Sequence, residues 1–492
     1  MGVAQQALRN RSHACSMSTP TLTTPSPAAE PGAGHAAFPV DLGRRVPRRW
    51  RDTSVALFWG LLLWVCALWV AGGGVQGLAT TAGALTGLGR VIGLVASALL
   101  LVQVFLMARV PWFEQAWGQD GLVRTHRLVG FTSFNLLWAH VVLVTLGYAA
   151  ASPKGLWGTI VVLVLDYPGM LLAVAGTAAL CLVVVTSLRR SRARLRYESW
   201  HLIHLYGYLG AGLALPHQLW TGQEFLTSRA AMVTWWGLYA ACLAAVLVFR
   251  VVLPLWRSLR APLHVVAVRR EGPGVTSVLV GGRGVGRLAV RPGQFFHWRF
   301  LDGPGWTRAN PYSLSAAPDG RHLRITAAHV GDGAARLATL RPGTRVLVEG
   351  PYGRLHAGVR IRSKVLLMGA GIGITPLRAL LEGLEPSTDV VVVHRASDGD
   401  GLVLSRELAA LAQDRGARYV TVPGPRVRGR ASWLPQAAAQ LTDPQALAQL
   451  VPDVAERDVF LCGAPGWMDA ARAAVLECGV PAEQVHLERF TY

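Results

Sequence analysis

Four histidines pose the first chemical question. His126 and His140 lie in one apolar stretch, and His204 and His217 in another. The first pair is fourteen residues apart, roughly 21 Å along a helix, and the second thirteen, roughly 19.5 Å. Fourteen residues is close to a whole number of turns, so the rings of His126 and His140 point to one side. Thirteen leaves the second pair about 140° out of register on an ideal helix. Pro216, directly before His217, is placed to bend the chain and re-aim it. An imidazole buried among lipid-spanning helices needs a partner or a task. Two pairs at two depths suit axial ligation of iron in two haems, one above the other. Interhelical hydrogen bonding is the competing use for any single histidine. His201, one turn before His204, competes for the inner position.

A second group of residues lies in the C-terminal half. In Arg308-Ala309-Asn310-Pro311-Tyr312-Ser313-Leu314, an aromatic after proline can lie flat on an isoalloxazine ring. The Ser313 hydroxyl or nearby backbone can hydrogen-bond its reactive edge. Arg308 offers a fork of donors to a pyrophosphate. An ordinary turn and strand is the plainer reading. Gly331 and Gly333, ahead of an apolar helix, let backbone N–H groups approach a phosphate. Gly369, Gly371 and Gly373, followed by Thr375 and Pro376, join a strand to a helix, the context of a phosphate-binding turn. Cys462 and Gly463 end another strand, at the carboxyl edge where open sheets bind ligands. There Cys462 either lines a nicotinamide pocket or is simply buried. His394 and Arg395 follow the second strand of this half, with no acidic residue immediately there. A basic pair suits a 2′-phosphate, which favours NADPH over NADH, although Asp398 and Asp400 stand close by.

These residues need elements to hold them. The chain has 492 residues, 52% hydrophobic and 15% charged, so more than one domain and a membrane-rich portion are expected. The apolar excess runs from Val55 to Leu255. Six spans are predicted, at 55–75, 88–110, 126–150, 168–188, 201–220 and 232–254, each near the ~20 residues that cross hydrocarbon. Trp157–Leu165 reads as an outer-surface segment before the fourth span; one longer kinked helix is the alternative. Arginines crowd the loops after the second, fourth and sixth spans, which places both termini and the C-terminal half on the cytoplasmic side. The net charge of +20 therefore marks topology and anionic lipid, not nucleic acid. The six cysteines form no CxxC pair, which argues against a disulfide framework or a thiolate metal site.

Four regions follow. Residues 1–50 read as a disordered, basic cytoplasmic N-terminus, and 51–257 as the six-helix membrane bundle. Residues 258–358 alternate in short stretches (His264–Val268, Ser277–Val280, Phe295–Phe300, Leu323–Ala327, Val346–Glu349), as an antiparallel β-barrel does. Glu349-Gly350-Pro351-Tyr352-Gly353 closes that barrel and is placed to seat the nucleotide half. Residues 359–492 alternate strand and helix on a parallel sheet, an α/β nucleotide-binding domain.

On these motifs the chain resembles the NADPH oxidase and ferric reductase superfamily over roughly residues 50–492. The resemblance implies a six-helix transmembrane domain with two b-type haems, ligated by His126, His140, His204 and His217. It also implies a ferredoxin–NADP reductase type module carrying FAD. Tyr197, Glu198 and Trp200 resemble the family approach to the fifth helix. Asn310-Pro311-Tyr312-Ser313 matches the flavin motif, with asparagine where many oxidases have histidine. Gly371, Gly373, Thr375 and Pro376 match the GxGxTP turn. Cys462 and Gly463 match a CGP-like segment, with Ala464 before Pro465. Phe490, with Tyr492 as the alternative, is the implied aromatic cover of the flavin. Ala334 stands where a hydroxyl residue often meets the flavin pyrophosphate. Superoxide-forming relatives commonly carry a further histidine four residues after the outer ligand of helix three; here it is Val144.

The expected activity is electron transfer from cytoplasmic NAD(P)H through FAD and two b-type haems to an extracytoplasmic acceptor, ferric iron or another oxidant. Rival readings are superoxide formation from oxygen, electron delivery to a partner protein or quinone, and a haem-binding sensor without catalysis. Tyr312, Ser313, Cys462 and Phe490 are the expected catalytic set.

Overall fold

The computed structural model describes residues 48–489, apart from 193, 196, 261, 304–307 and 400. The Pro- and Ser-rich N-terminal stretch, Asp400, Phe490 and Tyr492 lie outside the described residues.

The N-terminal half is helical: α1 Arg48–Ala71, α2 Thr81–Leu106, α3 Pro111–Ala150, α4 Gly155–Leu165 and α5 Met170–Ser187, then Tyr197–His204, Tyr206–Thr221 and Arg229–Val246. Among the described residues, five helical stretches are long and apolar enough to cross a membrane: Arg49–Ala71, Thr81–Leu106, Gly121–Ala150, Met170–Ser187 and Arg229–Arg260. Their outer faces expose Leu63, Phe131, Leu171 and Val233, a surface that suits hydrocarbon and not water. Small residues bring the helices together. A Cβ on Gly147 would stand 2.7 Å from the Thr86 backbone nitrogen, and one on Gly89 3.0 Å from that of Val144.

Two expectations about these helices change. The predicted fifth span is two helices, divided at Leu205, whose N–H is shared by the His201 and Leu202 carbonyls at 3.2 Å each; such sharing tightens the turn locally. Pro216 lies inside the second piece without ending it. The second span stops at Leu106, and the third starts earlier than predicted, at Pro111, and kinks at Gly118. The Trp157–Leu165 run is a helix of its own, separated from α5 by a turn through Gly169 at φ +80°.

Six antiparallel strands follow: β1 Leu263–Gly272, β2 Val275–Gly281, β3 Phe295–Phe300, β4 Asn310–Ser313, β5 His322–Ala328 and β6 Arg345–Tyr352, in the order β4-β3-β6-β1-β2-β5. A Leu314–Ile325 bridge links the chain just after β4 to β5, the opposite edge. Val265, Val280, Phe296, Trp298, Leu314 and Ile325 fill the core. The last five strands are parallel: β7 Lys364–Ala370, β8 Asp389–Ala396, β9 Arg418–Pro423, β10 Arg457–Cys462 and β11 Val485–Glu488, in the order β11-β10-β7-β8-β9. Helices Ile374–Gly383 and Ser405–Asp414 pack into one core of this sheet, and Asp443–Leu450 and Pro465–Glu477 into the other.

Candidate functional site

His126 and His204 meet. The His126 and His204 ring centroids are 6.0 Å apart. Two imidazoles sharing one metal ion at about 2 Å each would place their centroids on the order of 6 Å apart. His204 is therefore the residue of its pair that faces His126. The tautomers are prepared as well. His126 Nδ1 donates to the Gln103 carbonyl at 3.1 Å and His140 Nδ1 to the Gly89 carbonyl at 2.8 Å. Each leaves Nε2 as the lone-pair nitrogen, the arrangement that orients a histidine ligand. Ser187 Oγ lies 3.3 Å from His204 Nδ1 and also receives the Trp200 indole N–H. A Cβ on Gly93 would stand 2.4 Å from His140 Nδ1, so glycine there makes room for the ring. A Cβ on Gly169 would stand 2.8 Å from the His217 backbone nitrogen. The His217 Nδ1 is buried with no partner among the described residues. No group of three or more His, Cys, Asp or Glu that could hold a metal ion occurs among the described residues. Arg124 and Arg127 are exposed.

The flavin motif is a strand. β4 pairs with β3 so that Tyr312 stands opposite Phe296 and Ser313 opposite Phe295. The Trp298 indole donates to the Tyr312 carbonyl at 2.9 Å, which pins the motif from behind. Burial pushes the Tyr312 phenol up, so it stays neutral. Ser313 is buried and its hydroxyl has no partner among the described residues; an orphaned buried hydroxyl needs a ligand or water to satisfy it. Gly331 and Gly333 start a four-residue helix, Asp332–Ala335, shorter than the sequence suggests. A Cβ on Gly333 would lie 2.7 Å from Asn310 Oδ1, so the glycine lets the two motifs dock. Arg308, Asn310, Gly333 and Arg336 line one small cavity.

The nicotinamide motifs converge at the carboxyl edge of the parallel sheet. A Cβ on Gly373 would stand 2.4 Å from the Cys462 carbonyl oxygen, and one on Gly369 2.9 Å from Ile374 Cα. Gly371 has φ +54° with open space beside it, which leaves room for a ligand. Thr375 Oγ1 closes the turn on the Ile372 carbonyl at 2.9 Å, and Pro376 is buried in the helix that follows. Cys462 is fully buried and stands beside Glu488 in register. Burial, with that carboxylate, pushes its thiol well up, so it is a neutral wall and not a nucleophile.

The basic pair behaves differently from expectation. Arg395 is buried, and its guanidinium donates to the carbonyls of Trp433 and Val422 at 3.2 Å, of Pro425 at 3.4 Å, and of Ala396. Those carbonyls occupy the donors a phosphate would need. His394 is fully buried, with Nδ1 2.9 Å from the Tyr419 hydroxyl, and burial pushes it down to about 4. It is neutral at pH 7 and gives a phosphate no charge.

The sequence missed a seam between the helices and the antiparallel sheet. Arg109 lies in the four-residue link from α2 to α3, at φ +60°, a strained backbone for arginine. Its guanidinium meets Glu349 Oε1 at 3.1 Å and His297 Nε2 at 3.2 Å, and stacks on the Tyr352 ring at 4.6 Å. Tyr352 donates to the same Glu349 oxygen at 3.0 Å. Arg257 donates to the Gly350 carbonyl and Arg354 to that of Ala116. The Glu349–Gly353 segment thus sits on the helices through Glu349 and Tyr352, while Gly353 lies against Glu488 of β11. The available signal was an arginine and a proline crowded between two apolar spans.

Residues 92–215 match the family described as ferric reductase like transmembrane component. Part of the chain is also similar to curated reductases. An NADPH oxidoreductase of Mycobacterium tuberculosis is 28% identical over 48% of this chain and 62% of its own length. The ferredoxin reductase component of a 3-ketosteroid-9-alpha-monooxygenase from the same species is 32% identical over 42% of this chain and 56% of its own. Ferredoxin–NADP reductase B of Sorangium cellulosum is 29% identical over 38% of this chain and 80% of its own. The chain thus spans about three fifths of the length of the first two relatives. Among solved structures, the FAD/NAD-binding domain of a Vibrio cholerae nitric oxide dioxygenase is 25% identical, covering 46% of this chain and 98% of that one, with a TM-score of 0.39. The chain thus joins a segment similar to a ferric-reductase-like transmembrane component to a stretch similar to reductases of the ferredoxin–NADP reductase type.

Proposed function

We propose that this protein carries electrons from cytoplasmic NAD(P)H, through FAD and two b-type haems, to an acceptor on the far side of the membrane, with ferric iron ahead of oxygen. The observation that carries the reading is the 6.0 Å approach of His126 and His204, with His140 fourteen residues along the same helix. His126 and His204 would hold the inner haem, and His140 and His217 the outer. Bound there, FAD would supply hydride-accepting redox chemistry and the haems one-electron transfer.

The chain's own residues do the rest. Gly371 and Gly373 open the turn at the sheet edge to a pyrophosphate. Cys462 supplies a neutral, water-excluding wall. Ser313 offers its hydroxyl to the flavin, and Tyr312 an apolar face. With Arg395 engaged by carbonyls, recognition of a 2′-phosphate falls to Arg426, which is exposed on the loop after β9 and close enough for its charge to reach Arg395. The arginine-rich loops support a cytoplasmic reductase module and contact with anionic lipid. Val144, packed on Gly89 where oxidases commonly place a histidine, supports a ferric or other oxidant over oxygen.

The test is an absorption spectrum of the purified full chain, followed by NADPH addition with ferric chelate or oxygen. Low-spin haem that NADPH reduces and ferric chelate reoxidises is the expected result. A haem-free protein that still reduces soluble dyes would reject it.

A further inference from the structure

Glu114 is the charge at the seam with no obvious use. It lies in the first turn of α3, ahead of the Gly118 kink, and outside the membrane-crossing stretch that starts at Gly121. It is 6% exposed, and its Oε1 has no partner among the described residues. The Gly353 backbone amide faces the carboxyl group. Glu349, by contrast, is held by Arg109 at 3.1 Å, by Arg299 at 3.7 Å and by the Tyr352 hydroxyl. No cation lies within ion-pair distance of Glu114 among the described residues. Two buried carboxyl groups therefore share one neighbourhood, and the cations are committed to one of them.

An ionised carboxylate left in such a place has neither water nor a counter-ion, and the less costly state is the neutral acid. The surrounding charges have opposed effects. Arg109 favours ionisation and Glu349 opposes it. Tyr352 lies under the Arg109 guanidinium and within reach of the Glu114 charge, and His297 and Arg250 are near Arg109. Glu488 borders Gly353 from the β11 side, and Arg354 reaches the same kink.

We propose that Glu114 holds a proton at neutral pH and is a positioning residue for electron delivery from the flavin module to the membrane helices. As a neutral acid it leaves Arg109 on Glu349 and His297, so β6 and β3 stay fixed against the end of α2. As an anion it competes for that guanidinium and slackens the seam. Burial, its largest cause, pushes the Glu114 carboxyl from 4.5 to about 8, in the direction the geometry requires. The sign follows. Its value in the assembled seam lies above the ordinary one, so its contribution is complete below pH 4.5 and is lost as pH rises towards 8. The electron-delivery role rests on the function proposed above; the proton on Glu114 does not.

The experiment uses the full chain in lipid nanodiscs. Infrared spectra across pH, compared between wild type and Glu114→Gln, read the protonated carboxyl directly, with or without haem. A carboxylic-acid band that titrates near pH 8 and is missing in E114Q is expected. The ratio of haem reduction to ferricyanide reduction by NADPH is measured on the same samples. In the wild type it should fall above about pH 8, at most roughly tenfold per unit for one proton, and in E114Q it should be flat. A wild-type band titrating near 4.5, or spectra identical in the two proteins, overturns the assignment, and the wild-type titration alone suffices if E114Q does not fold. A confirmed band with the same pH profile in both proteins overturns the positioning role. A confirmed band in a haem-free chain would instead overturn the proposed function and leave the proton in place.

Discussion

The membrane helices and the reductase module hold their chemistry in opposite ways. In the helices, the proposed function rests on side chains that are present. Four histidines supply the candidate ligands, and glycines such as Gly93 give way to their rings. In the reductase module it rests largely on side chains that are absent. Gly333 admits Asn310, Gly373 admits the Cys462 carbonyl, and Gly371 leaves open space. The packing differs to match. The parallel sheet buries Leu366, Met368, Phe460 and Leu461 completely, whereas the helices turn Leu63, Phe131 and Val233 outward. One region fixes its site by a close-packed core under backbone turns. The other fixes it by helix contact and side-chain hydrogen bonds, because hydrocarbon outside gives no drive to bury apolar groups.

The largest expected effect tests the membrane side. His204→Ala should remove one haem and abolish haem reduction by NADPH, while NADPH-dependent dye reduction by the flavin persists. Loss of both activities together would erase the distinction between the regions. The matching change on the reductase side adds a side chain: Gly373→Val should lower NADPH-dependent dye reduction by about a hundredfold, the cost of a misplacement near 1 Å, and leave the haem content intact. Ser313→Ala is milder. Removing one hydrogen bond of about 1–1.5 kcal/mol should slow flavin reduction roughly tenfold in stopped-flow traces.

The smallest effect is in stability. His394 is pushed down to about 4 and His356 to about 3, both by burial. Each binds its proton less readily when folded, so their contribution is present above pH 6.5 and is lost as pH falls towards 4 and 3. Melting of the reductase module should therefore drop across that window, less steeply in His394→Asn. Equal slopes in the two proteins would remove His394 from the account.

The sequence was most readable where one period or one spacing dominates. Long apolar runs and buried strands such as Lys364–Ala370 were visible, as was the glycine turn after it. β9 and β11 were not: β9 is a half-exposed edge strand with polar residues between its apolar ones, and β11 has four residues. The break at Leu205 left no mark in composition. Arg395 shows a different limit. Its place at the carboxyl end of β8 suggests a phosphate ligand, but its donors are taken by carbonyls from a loop some thirty residues away. The His126–His204 approach needed the structure, because a helical spacing fixes the face within one helix and says nothing of the helix opposite. The seam around Arg109 was hidden for the same reason: its partners Glu349, His297 and Tyr352 are distant in sequence.

The central claim is that His126 and His204 share one haem. The most direct measurement is the haem-to-protein ratio, with the spectrum, of the purified chain and of the His126→Ala and His204→Ala variants. The account predicts two low-spin haems per chain, and loss of the same single haem in either variant. A wild type without haem, or variants that keep the full complement, would contradict it.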